Sequence, residues 1–446
     1  MTQTTQKMVV NGITWFEDEF QPADILIGQD GRVDAVGRPG QIPVSGDVQR
    51  LDAAGKWVLP GGIDMHAHLE DGAARFFPGS CAAASGGITT FVDMPPFHVC
   101  ASPQGVESRV ALAESEAVVD FCQGGGIVVS AEDLAHIEAL AAMGLPYFKV
   151  FMPAEPPVDS ALLWKSVQAA ARSGLRLALH AEEAGCFEPA VNWQDPLGFA
   201  RARPAVAETS AVAQVLEMAA AAGAPVHICH VSCGRSAELI GDYKAQGVDV
   251  TAETTPHYLI LDDRAFIALG SRVKTTPPLR QVEDSRLLWE ALEYGVLDAV
   301  VSDHFLSDDP SQASVDPGME LKEGGIAGLE LTLPLLYHHG VSEGRLSLDR
   351  FVQVIAINPA RILRISHRKG SLAPGKDADL LFFDPQREWE LQPNHEHSRI
   401  VTTPYQGWDV KGKVLLTMVR GNVVWDGNKN GVEKGFGKWV VSNPTE

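Results

Sequence analysis

At 446 residues, with 45% hydrophobic and 21% charged residues, the chain exceeds one ordinary core and reads as a large globular domain with a smaller companion. Its formal charge of −21 would repel nucleic acid and anionic membrane surfaces alike, so neither is an expected partner. No apolar run reaches the length of a membrane span, the start Met1–Lys7 is polar, and the six cysteines show no disulfide-framework spacing, so a cytoplasmic protein is expected.

Residues 8–58 read as short strands broken by turns at Asn11-Gly12, Gln29-Asp30-Gly31 and Arg38-Pro39-Gly40, with no room for a helix. An apolar run then stops at Pro60-Gly61-Gly62 and restarts as a strand carrying His66-Ala67-His68. Residues two apart on a strand face the same way, so both imidazoles point to one side. From there the rhythm is strand, loop and alanine-rich helix. Strand cores are expected at 63–68, 88–93, 126–130, 147–152, 175–180, 225–230, 248–253 and 298–303. Helix-like stretches include Pro78–Ser85, Ala131–Met143, Ser160–Ser173, Glu208–Ala222, Ser236–Gln246, Glu283–Tyr294 and Ala327–His338. Eight such units predict an α/β fold, a (β/α)8 TIM-type barrel over residues 59–365. The β rhythm returns after Arg361. Segments 1–58 and 366–446 are each too short for a core, and together they predict a small β-sandwich domain built from both chain ends.

Barrel chemistry sits at the C-terminal ends of the strands, which is where ligand-type residues collect here. The first strand ends in His66 and His68, the fifth in His180, the sixth in His230 and the eighth in Asp303. A chance His-x-His is common, and each of these has a bland reading alone. The fourth strand carries Lys149 between Phe148 and Val150, where a lysine has little route to water and an unpaired buried ammonium costs several kcal/mol. His227 has the opposite parity from His230 and is expected to pack. Cys229 and Cys233 flank His230, but Cys-x3-Cys without a second pair is a weak zinc signal, and both are read as packing residues.

These residues resemble the cyclic amidohydrolases of the amidohydrolase superfamily. The resemblance runs from Leu59-Pro60-Gly61-Gly62-Ile63-Asp64-Met65-His66-Ala67-His68 through Gly86–Pro95, the Lys149 strand, His180-Ala181-Glu182, His230-Val231-Ser232, Glu253–Leu259, Pro277–Arg280 and Ser302-Asp303-His304 to Gly370–Leu380. It implies a centre holding two zinc ions per subunit. His66, His68 and Asp303 would hold the first ion, and His180 and His230 the second. Lys149 would be carboxylated by carbon dioxide to a carbamate (N6-carboxylysine) bridging both, which removes the puzzle of a buried cation. Asp303 would carry a proton from the attacking water to the leaving ring nitrogen. A small cyclic amide is the implied substrate, and a homodimer or homotetramer the implied assembly.

The ring itself is read from smaller signals. Dihydroorotases of this group carry an arginine two residues after the second histidine, where this chain has Glu70, and hydantoinases or dihydropyrimidinases carry a tyrosine after the bridging lysine, where the run is Phe151-Met152-Pro153-Ala154-Glu155. Thr276-Pro277-Pro278-Leu279-Arg280, Gly324–Glu330 and Thr403-Pro404-Tyr405-Gln406-Gly407 look most like allantoinases, with Thr276 and Glu323 as candidate substrate contacts. Met94-Pro95-Pro96-Phe97-His98 and the run after Asp303-His304 depart from that pattern. Two other classes stay open: a non-catalytic scaffold homologue, and a mononuclear deaminase-like enzyme, which would not need the strand-four lysine.

Overall fold

The structure, a computed structural model, describes residues 6–44, 46–72, 75–96, 99–306, 324–392, 402–443 and 445. Strand Trp57–Pro60 sews the two ends of the chain together. It pairs in parallel with the N-terminal strand Lys7–Phe16, through Ile13 opposite Trp57, and antiparallel with Leu380–Glu390, through Leu380 opposite Pro60. The result is one eight-stranded sheet that runs from Asn422–Trp425 through Asp409–Val419 and Leu380–Glu390 to the N-terminal strands. Val9, Ile25, Ile27, Val58, Leu380 and Met418 form its apolar core. The chain passes straight from this sheet into the barrel at Gly61. A Cβ there would lie 2.2 Å from Thr89 Oγ1, so only glycine lets the two layers approach this closely.

The barrel staves run in parallel. In order they are Gly62–Gly72, Ile88–Asp93, a third split into Asp120–Gln123 and Gly125–Val128, Tyr147–Phe151, Arg176–His180, Val226–Ile228, Val250–Thr254, and an eighth split into Ala299–Val300 and His304–Leu306. Each half of a split stave pairs with a different neighbour. Asp120–Gln123 joins the second stave and Gly125–Val128 the fourth. Ala299–Val300 joins the seventh, and His304–Leu306 closes the barrel onto the first, with His304 opposite Ala67. Asp303 stands at the eighth-stave break with φ 47°, a left-handed conformation. The break lets it turn away from the strand direction just where the site residues gather.

Helices cover the outside largely where apolar spacing requires. Ser160–Ser173 is capped by Asp159, whose carboxylate accepts the Leu162 N–H at 2.7 Å, and it stops at left-handed Gly174. The expected helix from Glu208 starts earlier, at Ala205, because Pro204 can precede but not continue a helix from its N-terminal side. The stretch 131–143 divides into a 3₁₀ turn, Asp133–His136, and a short helix, Ile137–Ala142. Where a helix is expected over 327–338, the chain forms Thr332–Leu336 and then widens into a π-turn, Tyr337–Ser342. Pro103–Glu116 is a helix absent from those expectations, capped by Ser102 and buried along Val106, Arg109, Val110 and Ala113.

The last residues seal the end of the barrel opposite the site. Lys438 accepts the Phe121 N–H, Val440 donates back to Phe121, and Val440 packs among Ile63, Met65, Cys122 and Ala299. Lys369 locks the same end. It is buried, with its ammonium 2.7 Å from Asp120, 3.0 Å from Asp377 and 2.6 Å from Asp379. Arg420 and Arg368 neutralise the remaining charge on Asp120 and Asp377. Removing the central cation would leave buried carboxylates facing one another. Lys369→Ala should lower unfolding free energy by about 3–5 kcal/mol in chemical denaturation. A loss within the ordinary scatter of surface substitutions, roughly 0.5 kcal/mol, would show that this cluster does not lock the domains.

Candidate functional site

Four imidazoles, a lysine and an aspartate converge on the open mouth of the barrel. His66 and His68 leave the first stave on one side, with ring centroids 5.4 Å apart. His66 lies 5.1 Å from His230, and His230 lies 4.7 Å from His180. His230 has φ 35°, so the sixth stave, like the eighth, bends into the left-handed region at its site residue. Lys149 is 4% exposed, and its ammonium lies 3.0 Å from the Cys229 thiol. Asp303 Oδ1 stands 3.4 Å from His66 Nε2 and 3.7 Å from His68 Nε2. All six line one cavity of about 230 Å³ together with Met94, Pro95, Ile127, Phe151, Thr275, Thr276, Phe305, Gly324 and Gly325. Thr276 therefore sits where a substrate contact is expected, whereas Glu323 lies outside the described residues. His227 is not among the lining residues.

The outer sides of these groups are tied down by carboxylates. Glu253, fully buried on the seventh stave, lies 2.5 Å from His66 Nδ1 and 3.0 Å from His227 Nε2. Glu182 lies 2.6 Å from His180 Nε2 and also pairs with Arg203. Arg280 supports that corner by donating to Ser232 Oγ at 3.0 Å, two residues after His230. Asp64 accepts the His66 N–H at 3.0 Å and the Ser302 N–H at 2.9 Å, clamping the first stave to the eighth. Sequence reasoning quoted the runs holding Asp64, Glu182 and Glu253 without giving these residues roles. Asp64 and Glu182 each have one partner two residues away, His66 and His180, but their second partners, Ser302 and Arg203, and the Glu253 partner His66 come from elsewhere in the chain, so spacing alone does not single these carboxylates out.

Burial sets the charge states. Desolvation, reinforced by the Lys149 cation, pulls the His66 imidazole down to about 4. It lowers His180 as well, against the opposing pull of Glu182, and it takes His230 well below its ordinary range. Burial pushes the Glu182 carboxyl up, but the His180 hydrogen bond and the Arg203 guanidinium outweigh it and hold it at about 2. Near neutral pH the His66, His180 and His230 rings are therefore uncharged, with lone pairs available, and Glu182 and Glu253 behind them are ionised. A histidine whose far nitrogen is fixed by a carboxylate is the usual form of a metal ligand. The ligand atoms of His66, His68 and Asp303 lie within 4.8 Å of one another. His230 Nδ1 is buried without a hydrogen-bond partner. The donor set thus fits divalent metal.

The amidohydrolase family profile matches residues 57–424, which is most of the chain and the whole barrel. The chain belongs to the amidohydrolase family. This amidohydrolase is 34% identical over 439 residues to an allantoinase of Rubrobacter xylanophilus, covering 95% of each chain. It is 31% identical over 454 residues to an allantoinase of Escherichia coli, covering 96% of each. Among solved structures it resembles an L-hydantoinase (dihydropyrimidinase) from Arthrobacter aurescens with TM-score 0.89 and 31% identity, covering 98% of this chain and 99% of that one. A dihydropyrimidinase from Brevibacillus agri gives TM-score 0.88 and 28% identity, over 98% and 99%. No helix among the described residues is long and apolar enough to cross a membrane.

The depressed imidazoles have a thermodynamic consequence in the metal-free protein. His66 and His257 are held at about 4, and His304 at about 3, each mainly by desolvation, whereas the unfolded chain protonates them near 6.5. The unfolded state therefore binds more protons between these values, and stability falls as pH falls. The unfolding midpoint of chelator-treated protein should be steady above about pH 6.5 and drop progressively towards about pH 4. A midpoint that does not move over that window would show that these rings are not buried uncharged.

Proposed function

We propose that this amidohydrolase hydrolyses the ring amide of a small cyclic ureide, as an allantoinase would, at a centre of two zinc ions bridged by carboxylated Lys149. The observation that carries the reading is the composition of one cavity, where four imidazoles, Asp303 and Lys149 meet. Among the described residues no carboxylate lies within ion-pair distance of Lys149, whose hydrogen-bond partner is the neutral Cys229 thiol. A free ammonium is poorly accommodated there. Carboxylation would join the neutral amine to carbon dioxide with loss of a proton, and would replace the cation by anionic oxygens. His66, His68 and Asp303 would hold one ion, His180 and His230 the other, with the Lys149 carbamate between them.

Bound zinc would supply Lewis acidity, polarising the ring carbonyl and acidifying the attacking water. The chain's own groups do the rest. Glu253 and Glu182 fix the tautomers of His66 and His180, so those rings neither rotate nor take up the reaction's protons. Asp303, 12% exposed at the mouth, is the carboxylate with access to substrate. It accepts the proton of the attacking water and returns it to the ring nitrogen as the C–N bond breaks. Thr276, on the cavity wall beside Gly324, offers its hydroxyl to a ring heteroatom.

A second reading has its own observation. Met94, Pro95, Ile127, Phe151 and Phe305 make an apolar wall on the same cavity. Such a wall suits a hydantoin or dihydropyrimidine with an apolar ring substituent, and would strand the polar arm of allantoin. A panel of allantoin, alkyl- and aryl-substituted hydantoins, dihydropyrimidines and dihydroorotate, compared by kcat/KM, separates the readings. Highest kcat/KM on allantoin supports the first and on apolar hydantoins the second. No turnover of any ring by zinc-replete protein would overturn both. The proton role of Asp303 is tested separately. Asp303→Asn should lower kcat by about 10²–10⁴-fold while zinc content is retained. Near-normal turnover would assign the proton to another group, with buried His257 next in line.

A further inference from the structure

Arg280 stands where the loops that follow three consecutive staves meet. It closes the run Thr276–Arg280 after the seventh stave and is buried, 7% exposed. Its Nε donates to Ser232 Oγ at 3.0 Å, in the loop after the sixth stave. Its Nη1 donates to the Arg203 carbonyl, in the segment after the fifth. Its Nη2 lies 3.8 Å from Glu182 Oε1 and 3.9 Å from Glu208 Oε2. Among the described residues it is the one cation within ion-pair reach of both carboxylates. We infer that Arg280 is a positioning residue for one of the two ions, setting His180 and His230 in register through Glu182 and Glu208. The inference rests on the two-ion reading above.

The two histidines are held by different means, and both lead to Arg280. Glu182 fixes the His180 ring through Nε2 at 2.6 Å, which leaves Nδ1 for the ion. His230 is held through its backbone. Its φ of 35° is left-handed, a conformation that persists only where the surroundings enforce it. Glu208 enforces it from the helix Ala205–Ala222. Its buried carboxylate accepts the N–H groups of Ser232 and Cys233 at 3.2 Å, and the Ser232 hydroxyl as well. That hydroxyl in turn accepts from Arg280 Nε, so guanidinium, hydroxyl and carboxylate form one chain. Arg280 Nη2 makes no hydrogen bond, so its hold on the two carboxylates is Coulombic, and burial leaves it little screened. Removing the cation would strand Glu208 as an uncompensated buried charge and deprive Glu182 of one of its two arginines.

The ligands of the other ion hang from separate supports. His66 is fixed by Asp64 through its N–H and by Glu253 through its ring. The chain just past His68 is held by Asp93, which accepts the Leu69 N–H at 3.4 Å. Asp93 is itself clamped by Arg109 through two bonds of 2.7 and 3.0 Å. Among the described residues Arg280 has no hydrogen bond or ion pair with any of these groups. The barrel mouth thus has one guanidinium behind each half of the centre. Loss of Arg280 should loosen the ion held by His180 and His230 and spare the ion held by His66, His68 and Asp303.

The test is competitive zinc titration against a chromophoric chelator, on full-length metal-depleted protein with bicarbonate present. Wild type, Arg280→Met and Glu208→Gln are compared, each alone and in a His180→Ala background. Wild type should take two ions. Arg280→Met should hold one ion as wild type does and the other about 10–100-fold more weakly, the usual cost of losing a group that supports a metal ligand. Glu208→Gln, which keeps the shape of the side chain and removes its charge, should weaken the same ion and decides the matter if Arg280→Met does not fold. In the His180→Ala background, where that ion has already lost a ligand, neither change should weaken the remaining ion further. Wild-type affinity for both ions in both variants would overturn the role of Arg280 and leave the two-ion reading standing. Equal weakening of both ions, repeated in the His180→Ala background, would show a general structural role and likewise overturn it. A wild type that binds one ion or none would overturn the two-ion reading, and this inference with it.

Discussion

The contact on which the rest of this molecule depends is made by Asp64. Its two oxygens accept the backbone N–H groups of His66 and Ser302, at 3.0 and 2.9 Å, across the seam where the first and eighth staves meet. These bonds hold the two staves beside each other through the eighth-stave break, where the barrel closes. Asp64 does this from inside, where burial pushes its carboxyl up to about 7 against the pull of those same hydrogen bonds. Each of these bonds contributes about 0.5–1.5 kcal/mol, and more where the carboxylate is ionised. The effect is positional as well as energetic. One side of the clamp carries His66 and His68, and the other carries Asp303 in its left-handed turn, so one carboxylate sets the spacing of three site residues.

The electrostatics follow from the same enclosure. Burial strips charge from the imidazoles, and the carboxylates behind them stay ionised because each is paired with a ring or with Arg203. Lone pairs are thus aimed into a cavity whose other walls are mainly apolar, with Thr275 and Thr276 as the polar exceptions. Such an arrangement is costly by itself and becomes favourable around a cation. The small sheet and the Lys369 lock serve that end indirectly. They pack the opposite end of the barrel, away from the cavity lined by Asp303 and Thr276.

Much of this was legible in the residues, for a physical reason. Parallel staves present their ends to one face, so a strand that ends in histidine or aspartate declares its side chain's destination. Lys149 was legible by contradiction, as a cation in a strand with no way out. The staves themselves followed from apolar runs, and Ser160–Ser173 from its place in the strand, loop and helix rhythm. Pro103–Glu116 was equally open to that reasoning, with Ser102 and Pro103 at its start and buried residues at helical spacing, but its largely polar surface hid the stripe. The breaks in the third and eighth staves depend on pairing with two different neighbours, which no local pattern carries. The same holds for Glu253, which matters only through His66 and His227, rings that other staves bring to it. Cys229, read from spacing as a packing residue, faces Lys149 and His66 once the sixth stave is laid beside the fourth and the first.

The account turns on the chemical state of Lys149, and carbon NMR of protein reconstituted with zinc and isotopically labelled bicarbonate examines it most directly. The account predicts a carbamate carbon resonance in the wild type that is absent from Lys149→Ala, together with loss of bound zinc from that variant. Wild-type protein that is fully active and zinc-loaded, yet shows no carbamate carbon, would contradict it.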